Sequence, residues 1–182
     1  EAGIVELKDD RNYFVVKQKI VFSDEEHGVD LIVYPDDHFS INVLIDYNSK
    51  ILGNQYAILD KLEDFEEEIS KSRTFVFFHE LEPLHKMGLI KGGDLDNAVV
   101  ILEKEVEQDE IDRIARLFNR PGITKHTAGV LNNTELLYPN EPARHKLLDI
   151  VGDLALVGLP IKGKVVATRP GHYANTRLAR IM

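Results

Sequence analysis

Residues 13 to 59 alternate apolar and polar side chains with a period of two, which commits the first third of the chain to β-structure. Strands are expected at 13–16, 20–22, 29–34 and 39–45, with another around 55–59. The polar breaks Asp24-Glu25-Glu26, Pro35-Asp36-Asp37 and Asn48-Ser49-Lys50 supply the turns between them. Connections this short favour an antiparallel meander, and one apolar side per strand obliges the sheet to bury a single face.

The rest of the chain changes period. An acidic helix is expected over 62–71, with Asp60 as its N-cap. A short helix over 80–87 carries Leu81 and Leu84 on one side, and the breaks at Gly88 and Gly92-Gly93 precede a strand at 98–102. Residues 107–117 place Ile111, Ile114, Ala115 and Leu117 at helical spacing, and Asn119-Arg120-Pro121-Gly122 ends that helix. A short strand at 136–138, a buried helix over 142–158, a strand at 164–168 and a terminal helix over 172–181 complete the pattern. The fold class this implies is α+β: a two-layer sandwich of a mainly antiparallel sheet with helices on one face, plus a small βαβ insert. At 182 residues, one domain spanning 1–182 can bury a sizeable core.

The densest chemistry lies in Arg144-His145-Lys146-Leu147-Leu148-Asp149-Ile150-Val151-Gly152-Asp153. Read as a helix, it stacks His145, Asp149 and Asp153 on one stripe, because residues four apart are neighbours. An imidazole and a carboxylate one turn apart can grip a divalent metal, and a carboxylate one turn further on can orient another group. The same spacing also suits an amphipathic helix with a solvated polar face and core residues Leu147, Leu148, Ile150 and Val151. Spacing alone leaves both readings open.

Composition narrows the chemistry. The chain has no cysteine, so a metal site must use histidine nitrogen and carboxylate oxygen. A net charge of −9 disfavours nucleic acid as a partner. The most apolar stretch, 154–159, is far shorter than the ~20 residues that span a bilayer, so no transmembrane segment is expected. Without a basic, apolar leader at the start, the expected localisation is cytoplasmic. Basic residues Arg144, Lys146, Lys162, Lys164, Arg169, Arg177 and Arg180 gather in the last quarter and could receive a small diphosphate.

The block 140–154, followed by Lys162-Gly163 and Gly171-His172, resembles the second domain of the UDP-3-O-acyl-N-acetylglucosamine deacetylases of lipid A biosynthesis. Ser72-Arg73-Thr74-Phe75 is similar to that family's Arg-Thr-Phe signature, and Gly88 to Gly93 with Asp96-Asn97-Ala98 is similar to its Gly-Gly and Asp-x-Ala segment. These motifs fall in matching order over nearly the whole chain, a far more specific signal than any one of them. The resemblance implies a zinc-dependent amide hydrolase acting on a UDP-linked, O-acylated N-acetylglucosamine. It implies His145 and Asp149 as zinc ligands and His172 as the acid and oxyanion-stabilising group. Asp153 would hold the His172 imidazole charged, and Thr74 would assist the oxyanion. It further implies Phe75 against the sugar, Lys146 and Arg169 near the diphosphate, and an acyl tunnel lined by Leu81, Leu84, Ile90, Leu95, Ala98 and Val100. The insert at 74–102 would bind the acyl chain, and 103–130 is an extra helix and loop, longer than the usual connection.

The family's third zinc ligand and general base lie in a Thr-x-Glu-His motif of a first domain, and this chain contains no such motif. Lys125-His126-Thr127-Ala128 has the wrong order, so His126 is read as a loop residue. The expectation is half of an active site, inactive alone, whose partner is the missing first domain. Helical residues that are apolar on more than one face need a cover, and a second copy of this chain is an alternative occupant. The family pattern more often has lysine at Arg169 and glycine at Val76. A second reading, from a different class, is a noncatalytic module that binds an acyl chain or nucleotide sugar.

Overall fold

The computed structural model describes residues 3, 5, 8, 10–90, 98–120, 122, 123, 127–131 and 134–182. Strands β1 (Phe14–Val15), β2 (Ile20–Asp24), β3 (Val29–Tyr34), β4 (Phe39–Asp46) and β5 (Asn54–Leu59) follow the period-two segments closely. A one-turn helix α1 (Phe65–Glu68) leads to strand β6 (Thr74–Phe77), helix α2 (Leu81–Lys86) and strand β7 (Ala98–Leu102). Helix α3 (Gln108–Leu117) and strand β8 (Gly129–Val130) precede helix α4 (Glu141–Leu154), strand β9 (Ile161–Thr168) and helix α5 (His172–Ile181).

The expected meander is corrected in one respect. The main sheet runs β2-β3-β9-β4-β5, so β9 separates β3 from β4, and β1 extends the β3 side of β9. β9 pairs antiparallel with β3 and parallel with β4. It can take this central position because its residues alternate between buried and half-buried along its whole length. No local signal announces that a strand more than 100 residues downstream fills the gap.

One face of this sheet is buried under helices. Leu31, Val33, Ile41, Val43, Ile45, Leu59 and Val165 meet Ala143, Leu147, Ile150 and Leu154 of α4 and Ala174 and Leu178 of α5 in one core. Each such valine, leucine or isoleucine stabilises by roughly 1.5–3 kcal/mol relative to exposure. The α4 stripe at 143, 147, 150 and 154 is the helical period itself, and Pro142 suits the first turn. The helix ends earlier than expected, at Leu154. A 3₁₀ turn, Ala155–Val157, follows and closes on Gly158 at φ 81°, a left-handed conformation that suits glycine. Leu156, Leu159, Tyr173 and Ile181 remain exposed on this layer.

The insert forms its own three-stranded sheet, β6-β7-β8, in which β6 and β7 are parallel, as a βαβ unit requires. Its core joins Leu81, Val100 and Leu102 to Ile111, Ile114 and Ala115 of α3. Helix α3, with Val106 and Ile123 beside it, is therefore packed on the insert's core rather than standing apart from it.

Three local expectations fail. The acidic helix shrinks to α1, where Glu66, Glu67 and Glu68 crowd like charges into one turn. Asp60 does not cap it: the preceding 3₁₀ turn begins after Lys61 with no side-chain cap. Residues 136–138 are not a strand, because the Leu137 amide donates to the Glu141 carboxylate at 2.7 Å instead of to a ladder.

Candidate active site

Helix α4 presents His145, Asp149 and Asp153 along one edge, and α5 begins beside them with His172. The His145 Nδ1 lies 3.0 Å from the Ser72 carbonyl oxygen. A carbonyl has no proton to give, so Nδ1–H is the donor and Nε2 keeps its lone pair. That Nε2 faces Asp149 Oδ1 at 3.4 Å. Two donors each about 2.0–2.1 Å from a tetrahedral ion are separated by about 3.4 Å, so this pair fits two corners of a zinc site. Among the described residues, no group of three or more His, Cys, Asp or Glu side chains is placed to hold a metal.

The second carboxylate serves the second histidine. His172 Nδ1 lies 2.9 Å and 3.2 Å from the two Asp153 oxygens, so the contact expected from the sequence is formed. The buried Asn175 amide donates to the same carboxylate at 2.9 Å. His172 Nε2 then points back toward Asp149 Oδ1, 4.0 Å away. Asp149 is nearly buried and also accepts from Lys146 Nζ at 3.1 Å.

Beside this row stands an aromatic pair between two cations. Tyr47 meets Phe75 edge-on with ring centroids 5.6 Å apart, Lys146 Nζ lies 5.6 Å from the Phe75 centroid, and the Arg169 guanidinium lies 5.7 Å from that of Tyr47. Burial pushes the Tyr47 phenol up to about 12; Arg169 opposes the shift, and Asp149 and Glu80 reinforce it. Arg169 itself has φ 49° and anchors its amide to the Leu44 carbonyl at 2.8 Å. Other members of the basic cluster are occupied locally: Arg144 binds Glu68 and Asn140, while Lys162 and Arg177 lie over Tyr13 and Tyr173.

The remaining expected site residues are distributed as follows. Thr74 is exposed at the start of β6. Leu81 and Val100 are buried in the insert core, Ile90 packs against it, and Leu84 and Ala98 are half-buried. Leu95 and His126 lie outside the described residues. A cavity of about 690 Å³ opens at the far end of α4, bordered by Tyr13, Leu154, Leu159 and Lys162, and the histidine–carboxylate row does not border it.

Four contributors carried no role in the sequence reading: Tyr47, Glu141, Asn175 and the Ser72 carbonyl. Asn175 could have been found, since it stands three residues after His172 on the same helical face. Glu141 is fully buried at the start of α4 and accepts from the Arg73 amide, the Arg73 guanidinium and the Leu137 amide. Burial by itself disfavours the charged carboxylate and pushes the pKa up, but these hydrogen bonds and the Arg73 charge outweigh it and hold the carboxyl below its ordinary range.

The family profile for UDP-3-O-acyl N-acetylglycosamine deacetylase, LpxC, matches residues 1–120 and 118–182. A "Bifunctional enzyme LpxC/FabZ" of Bacteroides thetaiotaomicron is 49% identical over 181 residues, 100% of this chain and 39% of the relative. Its counterpart in Porphyromonas gingivalis is 46% identical over the same share of each chain. A "UDP-3-O-acyl-N-acetylglucosamine deacetylase" of Anaeromyxobacter dehalogenans is 35% identical over 182 residues, 99% of this chain and 50% of the relative. The chain thus spans half or less of the length of these relatives. Because the profile covers it from end to end, the chain belongs to the UDP-3-O-acyl N-acetylglycosamine deacetylase family.

Proposed function

We propose that this chain supplies half of the active site of a cytoplasmic, zinc-dependent deacetylase that removes the N-acetyl group of UDP-3-O-acyl-N-acetylglucosamine in lipid A biosynthesis. The observation that carries this reading is the single row in which His145 Nε2 and His172 Nε2 both face Asp149 Oδ1, with Asp153 behind His172. His145 and Asp149 would hold zinc, with the third protein ligand and the general base coming from the first domain. When bound, zinc supplies Lewis-acid polarisation of the amide carbonyl and a water acidified toward a pKa of ~7.

This chain's residues do the rest. His172, oriented by Asp153 and Asn175, delivers a proton to the departing amine nitrogen as the C–N bond breaks, giving acetate and the free amine. Lys146 neutralises the Asp149 oxygen turned away from His145 and places positive charge against Phe75. Thr74 offers its hydroxyl to the developing oxyanion, and Phe75 offers its ring to the sugar. Arg169 carries a guanidinium for the diphosphate, on a backbone fixed by Leu44. The acyl chain is assigned to the insert, where Leu84, Ile90 and Ala98 are only half-buried.

The test is acetate release from the UDP-linked substrate by this chain alone, by the chain mixed with the first domain, and by the complete protein. Activity is expected only with both halves, and Asp149→Ala should abolish it. Turnover by this chain alone would refute the half-site. Full activity of Asp149→Ala in the complete protein would favour a noncatalytic module.

A further inference from the structure

The Ser72–Arg73 peptide unit is gripped at both ends by one helix. Its N–H, that of Arg73, donates to Glu141 Oε1 at 2.9 Å, and its C=O, that of Ser72, accepts from His145 Nδ1 at 3.0 Å. Glu141 and His145 are one turn apart on α4, so helix and peptide form a closed ring of contacts. The Arg73 side chain returns to the same carboxylate through Nε at 2.8 Å and Nη2 at 3.0 Å, and Ser72 is itself buried. Glu141 is fully buried and takes no part in the proposed chemistry.

We infer that Glu141 is a positioning residue for His145, acting through this peptide. A carboxylate bound to the amide N–H fixes the peptide plane and polarises its carbonyl, which strengthens the carbonyl as an acceptor by about 10–30%. The carbonyl holds the Nδ1–H tautomer of His145 and directs Nε2 toward Asp149. Arg73 contributes in two separable ways: its amide is part of the relay, and its guanidinium keeps Glu141 ionised. Replacing the guanidinium therefore perturbs the relay less than removing the carboxylate charge. This inference rests on the reading of His145 as a zinc ligand.

The test compares zinc affinity, by chelator competition, in the complete protein and its variants Glu141→Gln, Arg73→Lys and His145→Ala, with thermal melts to establish folding. His145→Ala should lose zinc; native zinc affinity in that variant overturns the ligand reading itself. Given that loss, Glu141→Gln is expected to weaken zinc binding by about 10- to 100-fold, and Arg73→Lys by clearly less. Native affinity in a folded Glu141→Gln protein overturns the relay alone, as does an equal loss in Arg73→Lys. Should Glu141→Gln fail to fold, the native protein decides by nitrogen-15 NMR of the His145 ring. A proton on Nδ1, slow to exchange, supports the relay, and a proton on Nε2 overturns it.

Discussion

Gly163 sits near the start of the central strand β9, opposite Phe39 on β4, and its amide donates to the His38 carbonyl at 3.1 Å. A β-carbon there would lie 2.8 Å from Val16 Cγ2, 3.2 Å from Val16 Cβ and 3.1 Å from the Tyr34 carbonyl oxygen. Carbon atoms prefer about 3.5–4.0 Å, so Gly163→Ala demands a displacement of roughly 0.7 Å or more. Nothing nearby yields readily. Val16 is branched at Cβ, buried, and tied by its amide to the Lys162 carbonyl at 3.0 Å, and the Tyr34 atom is backbone within β3. Overpacking of this kind costs about 1–3 kcal/mol, and at about 2–4 °C per kcal/mol for a chain of this size a 2 kcal/mol loss lowers Tm by about 4–8 °C. Val16→Ala alone should cost about 1.5 kcal/mol in lost burial. Because it also removes the clashing methyl, the double variant should be more stable than the sum predicts by about 1 kcal/mol. Thermal and urea melts of the four proteins measure that coupling. Additivity within about 0.3–0.5 kcal/mol would refute the steric argument.

His172→Ala in the complete protein should lower kcat by about 10²- to 10⁴-fold while leaving zinc content unchanged, checked by steady-state kinetics and metal analysis. Parallel loss of zinc would show that His172 does not act as the acid alone. The Tyr47 phenol has a folded pKa raised from 10.0 to about 12, so stability should be full below pH 10.0 and fall as the pH rises toward about 12. Ultraviolet titration of the phenol should show one late-ionising tyrosine that Tyr47→Phe removes. Glu141 has the opposite sign: its folded carboxyl is held below the ordinary 4.5, so its contribution is present above that value and lost as pH falls through the folded one. Acid melts of Glu141→Gln should therefore be flatter below pH 4.5 than those of the parent. Leu147→Ala, in a fully buried position of α4, should cost about 2–5 kcal/mol by denaturant titration, and a loss under 1 kcal/mol would contradict the core assignment.

Much of the site was legible because it is local. His145, Asp149 and Asp153 share a stripe through helix geometry alone, and the terminal helix begins at His172 as the spacing indicated. The long alternating strands were legible for the same reason, since each residue's neighbours two positions away carry the signal. Short, charged or competing segments were not. The acidic turn at 65–68 lacks the length to sustain a helix against its own repulsion, and 136–138 lost its strand to a side-chain acceptor.

The sequence by itself determined the fold class, the donor types available to a metal, and the helical face that carries them, because periodicity and residue chemistry are properties of neighbours along the chain. Only the tertiary structure decided that β9 divides the sheet, that helix α3 completes the insert's core, and that Glu141 reaches across to the Ser72–Arg73 peptide. The Glu141 contact joins residues 68 positions apart, and the β4–β9 pairing joins residues more than 100 apart. Such pairings are set by which surfaces and buried charges must find partners at once, and no window along the chain contains that information.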